Sequence, residues 1–382
     1  MRPVFDEPVE SIYLDNAATT MMDDDVVDAM LPYLRESFGN AETPYHLGRE
    51  SADAVELARE RVAELIDVDP KRIFFTSGGT EANNWAIRCV NRATRRIICS
   101  SVEHASVILS AKSQSGMYCP VKPEGVVDLD VMDAVAQEHG VDIISVQHAN
   151  NEIGTIQPVA AVAEIARKHE AVFHMDAVQS YGKFLWAADD TGADLISLSA
   201  HKIHGPMGIG ALYVREGIDM EPLLYGGSQE SGMRAGTLAV PSIVGFGVAA
   251  DIARTSIRHE SPRQQELITW LASELKLNFG ATINGDELNR LPSILNFTLP
   301  DVEGNVVAAV LNRHYGMCIA CGAACETRKG VSHVLKAIGM TTEQAQRTLR
   351  VSISRFTTTK HVRKVVSCLH MAIKEARERA VE

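Results

Sequence analysis

Residues 197–214 read SLSAHKIHGPMGIGALYV: an apolar run, a lysine beside a histidine, a glycine-rich return and a second apolar run. This pattern predicts a buried strand, a loop and a neighbouring strand. Lys202 follows the first of these strands. Because open α/β sheets bind ligands beyond the carboxyl ends of their strands, Lys202 is expected to point into a cleft there.

The sequence before this stretch alternates between short apolar runs and helical patterns. Between about residues 70 and 215 the strand-like runs are RIFFTS, RRIICS, DIISVQ, AVFHMD, LISLSA and GIGALYV. Such alternation predicts an α/β domain in which helices flank a mostly parallel sheet. The polar segments SGGTEANN, SVEHAS, QHANNEIG, DAVQS and AHK follow these runs, so they are expected to meet at one edge of the sheet.

A second region begins near SPRQQELITWLASELK, where Ser261 and Pro262 are typical of an N-cap and a first helical turn. The pattern predicts that a helix begins here and opens a smaller α+β domain. We therefore expect an N-terminal segment at 1–15 that packs on the small domain, a large domain at 16–258 and a small C-terminal domain at 259–382.

Composition and charge limit the function. The chain has 382 residues, of which 49 are acidic and 37 basic, and a formal net charge of −12. Such a chain is poorly suited to neutralising phosphates, so we expect no direct nucleic-acid binding. The N-terminus has no apolar leader and no run of 18 apolar residues occurs, so we expect a cytoplasmic protein without a membrane span.

Three of the seven cysteines lie in CIACGAAC, residues 318–325. The odd count and wide spread of the seven argue against a disulfide framework, so reduced thiols are expected. The spacing of Cys318, Cys321 and Cys325 is compatible with an iron–sulfur or redox-sensing module, although no fourth ligand is evident nearby. The alternative is a single working thiol with two bystanders.

Several strand-end residues suit one cofactor. Asp176 follows the apolar run AVFHM, where a buried carboxylate needs a cationic partner such as a pyridinium nitrogen. Gly78, Gly79 and Thr80 precede a helix whose free amides suit a phosphate. With Lys202 as a Schiff-base lysine, they form the set that pyridoxal phosphate needs. Each alone has a simpler explanation as a helix cap, a turn cap or a surface lysine. Together, on successive strand ends, they indicate this cofactor and no metal.

Nine motifs from one end of the chain to the other match a known family: YLDNAATT (13–20), TSGGTEANN (76–84), EHASV (103–107), HANNEIG (148–154), MDAVQS (175–180), SAHKIHGPMGIGALYV (199–214), GMRAGT (232–237), GAAC (322–325) and RVSISRFTT (350–358). In these segments the chain resembles the cysteine desulfurases of the nitrogen-fixation and iron–sulfur-assembly type. That group belongs to the class V aminotransferase superfamily of fold-type I pyridoxal-phosphate enzymes. The resemblance implies the corresponding fold and a homodimer.

The same resemblance implies roles for individual residues. Lys202 would hold the cofactor covalently, Asp176 would pair with its pyridine nitrogen, and His104 would stack on the ring and help to move protons. Arg350 matches the arginine that binds the substrate carboxylate, and Arg355 is a second candidate. The remaining cofactor contacts would be Gly79, Thr80, Asn151 (also near the substrate), Gln179, Ser199, His201 and, on the phosphate of the neighbouring subunit, Thr237.

The implied reaction moves the sulfur of L-cysteine onto Cys325 as a persulfide, releases L-alanine and passes the sulfur to an acceptor protein. His104 is the candidate base for the Cys325 thiol. Selenocysteine lyase or another class V reaction is the alternative at the same site.

Two departures from the family pattern bear on the acceptor. Ala323 replaces the family's usual serine, and the chain ends without the C-terminal extension by which housekeeping members dock their scaffold. A dedicated acceptor, in nitrogenase cluster assembly, transfer-RNA thiolation or DNA phosphorothioation, is therefore expected at least as readily as general iron–sulfur cluster assembly.

Overall fold

The computed structural model describes residues 11–92, 94, 96–322 and 331–381. This part of the chain contains thirteen β-strands and twelve α-helices. The strands are β1 (Ile12–Tyr13), β2 (Ile73–Thr76), β3 (Ile97–Ser100), β4 (Met117–Cys119), β5 (Ile143–Gln147), β6 (Val172–Asp176), β7 (Leu195–Ser199), β8 (Gly210–Val214), β9 (Thr282–Asn284), β10 (Ile294–Thr298), β11 (Met317–Cys318), β12 (Ala320–Cys321) and β13 (Thr348–Ser352). The helices are α1 (Asp24–Arg35), α2 (His46–Glu64), α3 (Gly79–Arg88), α4 (Ala105–Ser113), α5 (Leu129–His139), α6 (Val159–Lys168), α7 (Ala188–Thr191), α8 (Val240–Phe279), α9 (Gly304–Tyr315), α10 (His333–Ala337), α11 (Thr342–Gln346) and α12 (Thr359–Val381).

Seven strands form the large sheet, in the order β2-β8-β7-β6-β5-β3-β4. The five strands from β7 to β4 run parallel to one another, whereas β8 is antiparallel to both of its neighbours. Strands β5, β6 and β7 are buried along their whole length, as expected when helices cover both faces of a parallel sheet. The predicted α/β class with a mostly parallel sheet is confirmed.

A second, antiparallel sheet lies in the C-terminal part of the chain, in the order β12-β13-β10-β9. Helices α9 and α12 pack against each other, and α9 also packs on β13. The core of this region includes Phe297 and Leu349, both fully buried. Strand β1 pairs in parallel with β11 and places Ile12 and Leu14 in the same core.

Helix α8 joins the two cores and contradicts one expectation from the sequence. It runs from Val240 to Phe279, so no helix begins at Ser261, and Pro262 lies inside α8. An internal proline removes one helical hydrogen bond and costs about 3 kcal/mol. Burial on both sides of the proline offsets this cost, because Phe246 packs in the large core and Leu271 in the small one. The proposed domains, 1–15, 16–258 and 259–382, remain predictions, and the last two meet inside this helix.

Helix α8 is also the one described helix that is long and apolar enough to cross a membrane. Within its most apolar 18-residue stretch, 56% is buried inside the protein. The helix packs against α1, α2 and α12. These contacts are those of a core helix.

The sheet brings the polar strand ends to one edge. Asp176 ends β6, and the turn Ala200–Lys202 follows β7 directly. Helix α3 begins three residues after β2, and His104 caps α4 shortly after β3. These positions converge because β3, β5, β6 and β7 are parallel, so their carboxyl ends share that edge.

Candidate active site

A cleft of about 840 Å³ lies at this edge, between the large sheet and the residues of β12 and β13. Most of the residues predicted from the sequence line it. They are Gly79, Thr80, His104, Asn151, Asp176, Gln179, His201, Lys202 and Arg350.

Lys202 is held by the N-terminal part of the chain. Its Nζ atom donates hydrogen bonds to the carbonyl oxygens of Ala17, at 2.7 Å, and Ala18, at 2.6 Å. Burial, and then the positive charges of Arg350 and Lys183, lower the pKa of Lys202 to about 8. A lysine with a lowered pKa offers a larger share of neutral amine near pH 7, which suits a nucleophile.

Asp176 is a buried carboxylate that other residues orient. Its Oδ2 atom accepts a hydrogen bond of 2.7 Å from Asn83 Nδ2, and its Oδ1 atom accepts one of 3.0 Å from the backbone N–H of Val178. No cationic side chain among the described residues forms an ion pair with it. A carboxylate of this kind fits the protonated nitrogen of a pyridine ring. Gln179 lies beside it and donates from Nε2 to Ala17 O at 2.8 Å.

The start of α3 forms a cradle for an anion. Gly78, with φ of 148°, is the N-cap of this ten-residue helix. The first residues of α3, Gly79 and Thr80, line the cleft, and the backbone N–H groups at a helix N-terminus are free to bind an anion. A Cβ atom at Gly79 would lie 2.6 Å from Val178 Cγ2 and 3.8 Å from Ser199 Cβ, so a larger residue would close the cradle. Ser199 is thus placed next to the cradle, although it does not line the cleft.

Two further titratable residues belong to this part of the site. Burial and the charges of Lys202 and Lys183 lower the pKa of His201 to about 4, so His201 is neutral at pH 7. Its Nδ1 atom is 3.1 Å from Thr19 Oγ1, which leaves Nε2 for another partner. Burial opposes ionisation of Glu81 in the first turn of α3, but hydrogen bonds from Arg234 and Ser77 hold its pKa below the ordinary value.

His104 takes part in a hydrogen-bond network that sequence reasoning missed. Its Nδ1 atom lies 2.7 Å from Ser106 Oγ and accepts the backbone N–H of Ser106 at 3.2 Å. Ser106 Oγ in turn accepts a hydrogen bond of 2.9 Å from Asn83 Nδ2. One signal for Asn83 was available: it follows Gly79 by four positions on a predicted helix, and therefore lies on the same helical face.

Arg350 lies on β13 and is only 6% exposed. It donates from one terminal nitrogen to Asp15 Oδ1 at 2.6 Å and from the other to the carbonyl oxygen of Asn151 at 2.8 Å. Its Nε atom is buried and has no partner in the described part of the chain. A guanidinium with a donor to spare, at the cleft wall, suits a carboxylate ligand.

The second arginine candidate is placed elsewhere. Arg355 pairs with Asp23 and lies over the ring of Phe356. It lines a separate small cavity together with Lys183, and it does not line the cleft. Thr237 also lies away from the cleft and is exposed on the segment before α8.

Cys325 lies outside the described residues, but the residues on either side of its segment do not. Gly322 and Val331 both line the cleft, as does Cys321. The backbone N–H of Ser332 donates to the carbonyl oxygen of Gly322 at 3.2 Å, so the two ends of the segment are held together.

The two other cysteines of the CIACGAAC stretch differ in position. Cys318 lies on β11, where Asn312 Nδ2 approaches its Sγ atom at 3.5 Å, and it does not line the cleft, whereas Cys321 does. Among the described residues, no group of three or more His, Cys, Asp or Glu side chains is arranged to hold a metal ion.

Known proteins give the site its context. The sequence model of the family described as "Aminotransferase class-V" matches residues 12–365. The chain is 39% identical to "Cysteine desulfurase IscS" of Dictyoglomus turgidum, over 96% of this chain and 95% of that protein. It is 38% identical to "Cysteine desulfurase" of a Nostoc species, over 96% and 94%. A solved structure titled "NIFS-LIKE PROTEIN" superposes with a TM-score of 0.89 at 35% identity, covering 95% of this chain and 99% of that one. The chain therefore belongs to the class V aminotransferase family and, within it, to the cysteine desulfurases, which are enzymes that use pyridoxal phosphate.

Proposed function

We propose that this enzyme carries the sulfur of L-cysteine as a persulfide on Cys325 and delivers it to an acceptor protein. Bound pyridoxal phosphate supplies the electron sink for the reaction. Lys202 holds the cofactor and moves the substrate's α-proton, Arg350 binds the substrate carboxylate, and Asp176 keeps the pyridine nitrogen protonated. The Cys325 thiolate attacks the substrate sulfur, so a sulfur–sulfur bond forms while the substrate's carbon–sulfur bond breaks. The carbon takes up a proton and leaves as alanine.

One observation carries this proposal. The residues that flank the Cys325 segment, Gly322 and Val331, line the same cleft as Lys202 and Arg350. A thiol carried between them therefore belongs to a segment that starts and ends at the substrate site. The alternative, an iron–sulfur or redox-sensing module on Cys318, Cys321 and Cys325, lacks comparable support. Of its two described cysteines, Cys321 lines the cleft and Cys318 does not.

A homodimer is part of the proposal. Exposed apolar side chains occur on α1, on the α1–α2 connection and on the segment after β8, among them Leu34 (60%), Phe38 (72%) and Tyr225 (81%). These regions adjoin one another, since Gln229 and Ser228 donate hydrogen bonds to Glu42. Exposed large apolar side chains on adjoining segments favour association. Thr237, exposed on the same segment, would then reach the partner subunit's cradle. Sedimentation of the purified protein tests this: a concentration-independent monomer would overturn it.

The acceptor is proposed to be a protein of a cytoplasmic sulfur-transfer pathway, whether iron–sulfur cluster assembly, transfer-RNA thiolation or DNA phosphorothioation. The enzyme would meet a nucleic acid only through that acceptor. The net charge of −12 supports the proposal that the enzyme itself does not bind nucleic acid, because it gives the enzyme little general attraction for phosphates.

The proposal is tested by incubating the holoenzyme with L-cysteine and a thiol reductant and measuring sulfide and alanine. Cys325→Ala is expected to keep the cofactor absorbance and to lose both products. Lys202→Ala is expected to lose the absorbance of covalently bound cofactor. Cys318→Ala is the matched control and should behave as the unaltered enzyme does. Normal sulfide release by Cys325→Ala would overturn the assignment of the carrier.

A further inference from the structure

Asp176 and His104 are connected through two intervening side chains. Asp176 Oδ2 accepts from Asn83 Nδ2 at 2.7 Å, and the same amide nitrogen donates to Ser106 Oγ at 2.9 Å. Ser106 Oγ is 2.7 Å from His104 Nδ1. Asp176, Asn83 and Ser106 are all buried, with exposures of 6%, 1% and 9%. A buried network of this kind has few alternative hydrogen-bond arrangements.

The donor and the acceptor in each hydrogen bond of this network can be assigned, starting from the backbone N–H of Ser106. A backbone N–H can only donate, so the Ser106 amide at 3.2 Å requires a lone pair on His104 Nδ1. The Ser106 hydroxyl then donates to the same atom and accepts from Asn83. The Asn83 amide cannot be turned the other way, because its oxygen would then face the Asp176 carboxylate. Both hydrogens of the Asn83 nitrogen are therefore used, one toward Asp176 and one toward Ser106.

This polarity fixes the tautomer of His104. With a lone pair on Nδ1, the neutral imidazole carries its hydrogen on Nε2. Nε2 lies on the ring edge opposite Ser106, and it makes no hydrogen bond within the described residues. Since His104 lines the cleft, a hydrogen on Nε2 is available to an acceptor atom there.

We infer that Ser106 and Asn83 are positioning residues that hold neutral His104 as an Nε2–H hydrogen-bond donor in the cleft. The inference rests on the proposed function for the identity of the site, and it changes one part of the expected chemistry. To accept the Cys325 proton at Nε2, neutral His104 would need its own hydrogen on Nδ1, facing the Ser106 amide. In this tautomer His104 can donate a hydrogen bond from Nε2 to an electron-rich atom of a bound molecule, and it has no lone pair at Nε2 with which to accept a proton from a thiol.

The tautomer is measured directly by 15N NMR of the holoenzyme labelled at histidine, with His104 assigned by comparison with His104→Gln. The expected spectrum shows an unprotonated Nδ1 and a protonated Nε2. A proton on Nδ1 in the unaltered enzyme would overturn the inference without any variant of the network. This measurement does not depend on Cys325, so its failure is separate from failure of the proposed sulfur carrier.

Variants of α4 test the contribution of Ser106. Ser106→Ala should move the 15N chemical shift of His104 Nδ1 toward the value of an unprotonated nitrogen that accepts no hydrogen bond from a hydroxyl. Ser106→Thr should restore the original shift, because threonine keeps the hydroxyl. Ser110→Ala is the matched control: Ser110 lies one turn later on the same helix, and its buried Oγ has no partner in the described part of the chain. An unchanged Nδ1 resonance in Ser106→Ala, or the same shift in Ser110→Ala, would overturn the role of Ser106.

Discussion

The Nζ atom of Lys202 lies 2.7 Å from the carbonyl oxygen of Ala17, 185 positions earlier in the chain. The same oxygen accepts a hydrogen bond from Gln179 at 2.8 Å. The segment that follows β1 therefore covers the lysine and sets the direction of its amine. It also ties the amine to two carbonyl groups, those of Ala17 and Ala18.

Cofactor uptake is expected to depend on pH through Lys202. The neutral amine is the reactive form, and the pKa of Lys202 is lowered to about 8, first by burial. The rate at which cofactor-free protein binds pyridoxal phosphate covalently should therefore rise with pH and level off above about 8. Stopped-flow absorbance measures it. A rate that continues to rise with pH up to the ordinary pKa of lysine, 10.5, would contradict the lowered pKa.

A charge-removing variant sharpens this test. Lys183 is one of the groups that lower the pKa of Lys202, so Lys183→Met should move the midpoint of uptake to higher pH. Lys168→Met is the control, because Lys168 is half exposed and pairs with Asp133. If both variants shift the midpoint equally, the effect of Lys183 is not local.

Glu103 should make folding stability depend on pH. Burial raises the pKa of this fully buried carboxyl to about 8, from an ordinary value near 4.5. Between these values the folded protein binds more protons than the unfolded chain, so the free energy of unfolding falls as pH rises. Glu103→Gln removes this contribution to the pH dependence, because a glutamine side chain does not titrate. Its stability relative to the unaltered protein, from urea unfolding, should therefore increase from pH 5 to pH 8, whereas a constant difference would refute the raised pKa.

The two candidate arginines should separate in steady-state kinetics. Arg350 lines the cleft, so Arg350→Lys is expected to raise KM for L-cysteine by about 10- to 150-fold, the range for a charged hydrogen bond of about 1.5–3 kcal/mol. Arg355→Lys is the control, since Arg355 faces a different cavity. A larger KM effect from Arg355 would reverse the assignment.

The ion pair of Arg59 and Glu230 should stabilise the segment before Arg234. Glu230 accepts two hydrogen bonds of 2.8 Å from Arg59 and one of 2.7 Å from the Phe75 amide, and its side chain is fully buried. Glu230→Gln removes the buried charge partner of Arg59 and leaves the exposed Glu56 carboxylate, 3.2 Å from Arg59 Nε, so we expect a loss of up to about 3 kcal/mol in the free energy of unfolding measured with urea.

A neighbouring variant controls for backbone conformation. Ser231 has φ of 57°, a region that favours glycine, so Ser231→Gly should change stability by no more than about 1 kcal/mol. Equal losses in the two variants would mean that the segment's conformation, and not the ion pair, sets the effect.

The sequence predicted the parts of the molecule that depend on local pattern. The buried runs around β5, β6 and β7 specify a parallel sheet, and the parallel order alone brings Asp176 and Lys202 to one edge. The continuity of α8 was not predictable from its Ser261–Pro262 signal, because that signal is local and the packing on both sides of it is not. Ser106 was missed for a similar reason, since Asn83 on α3, which bonds both Ser106 and Asp176 at the end of β6, meets them only in the folded structure.

The arginines show the same limit within one motif. Arg350 lies inside β13, between its paired neighbours β10 and β12, and this position directs it to the cleft wall. Arg355 follows the strand by three residues, where the chain has turned toward Asp23. Both are arginines of the same sequence motif, RVSISRFTT. What distinguishes them is that β13 ends between them, and the sequence motif does not show where the strand ends.

Cys325 is proposed to carry the substrate sulfur. Mass spectrometry tests this on the peptide that contains Cys325, taken from holoenzyme after L-cysteine is added without reductant. We predict one additional sulfur atom on Cys325, removable by a thiol, and none on Cys318. Added sulfur on another cysteine with Cys325 unmodified, while alanine is formed, would contradict the claim.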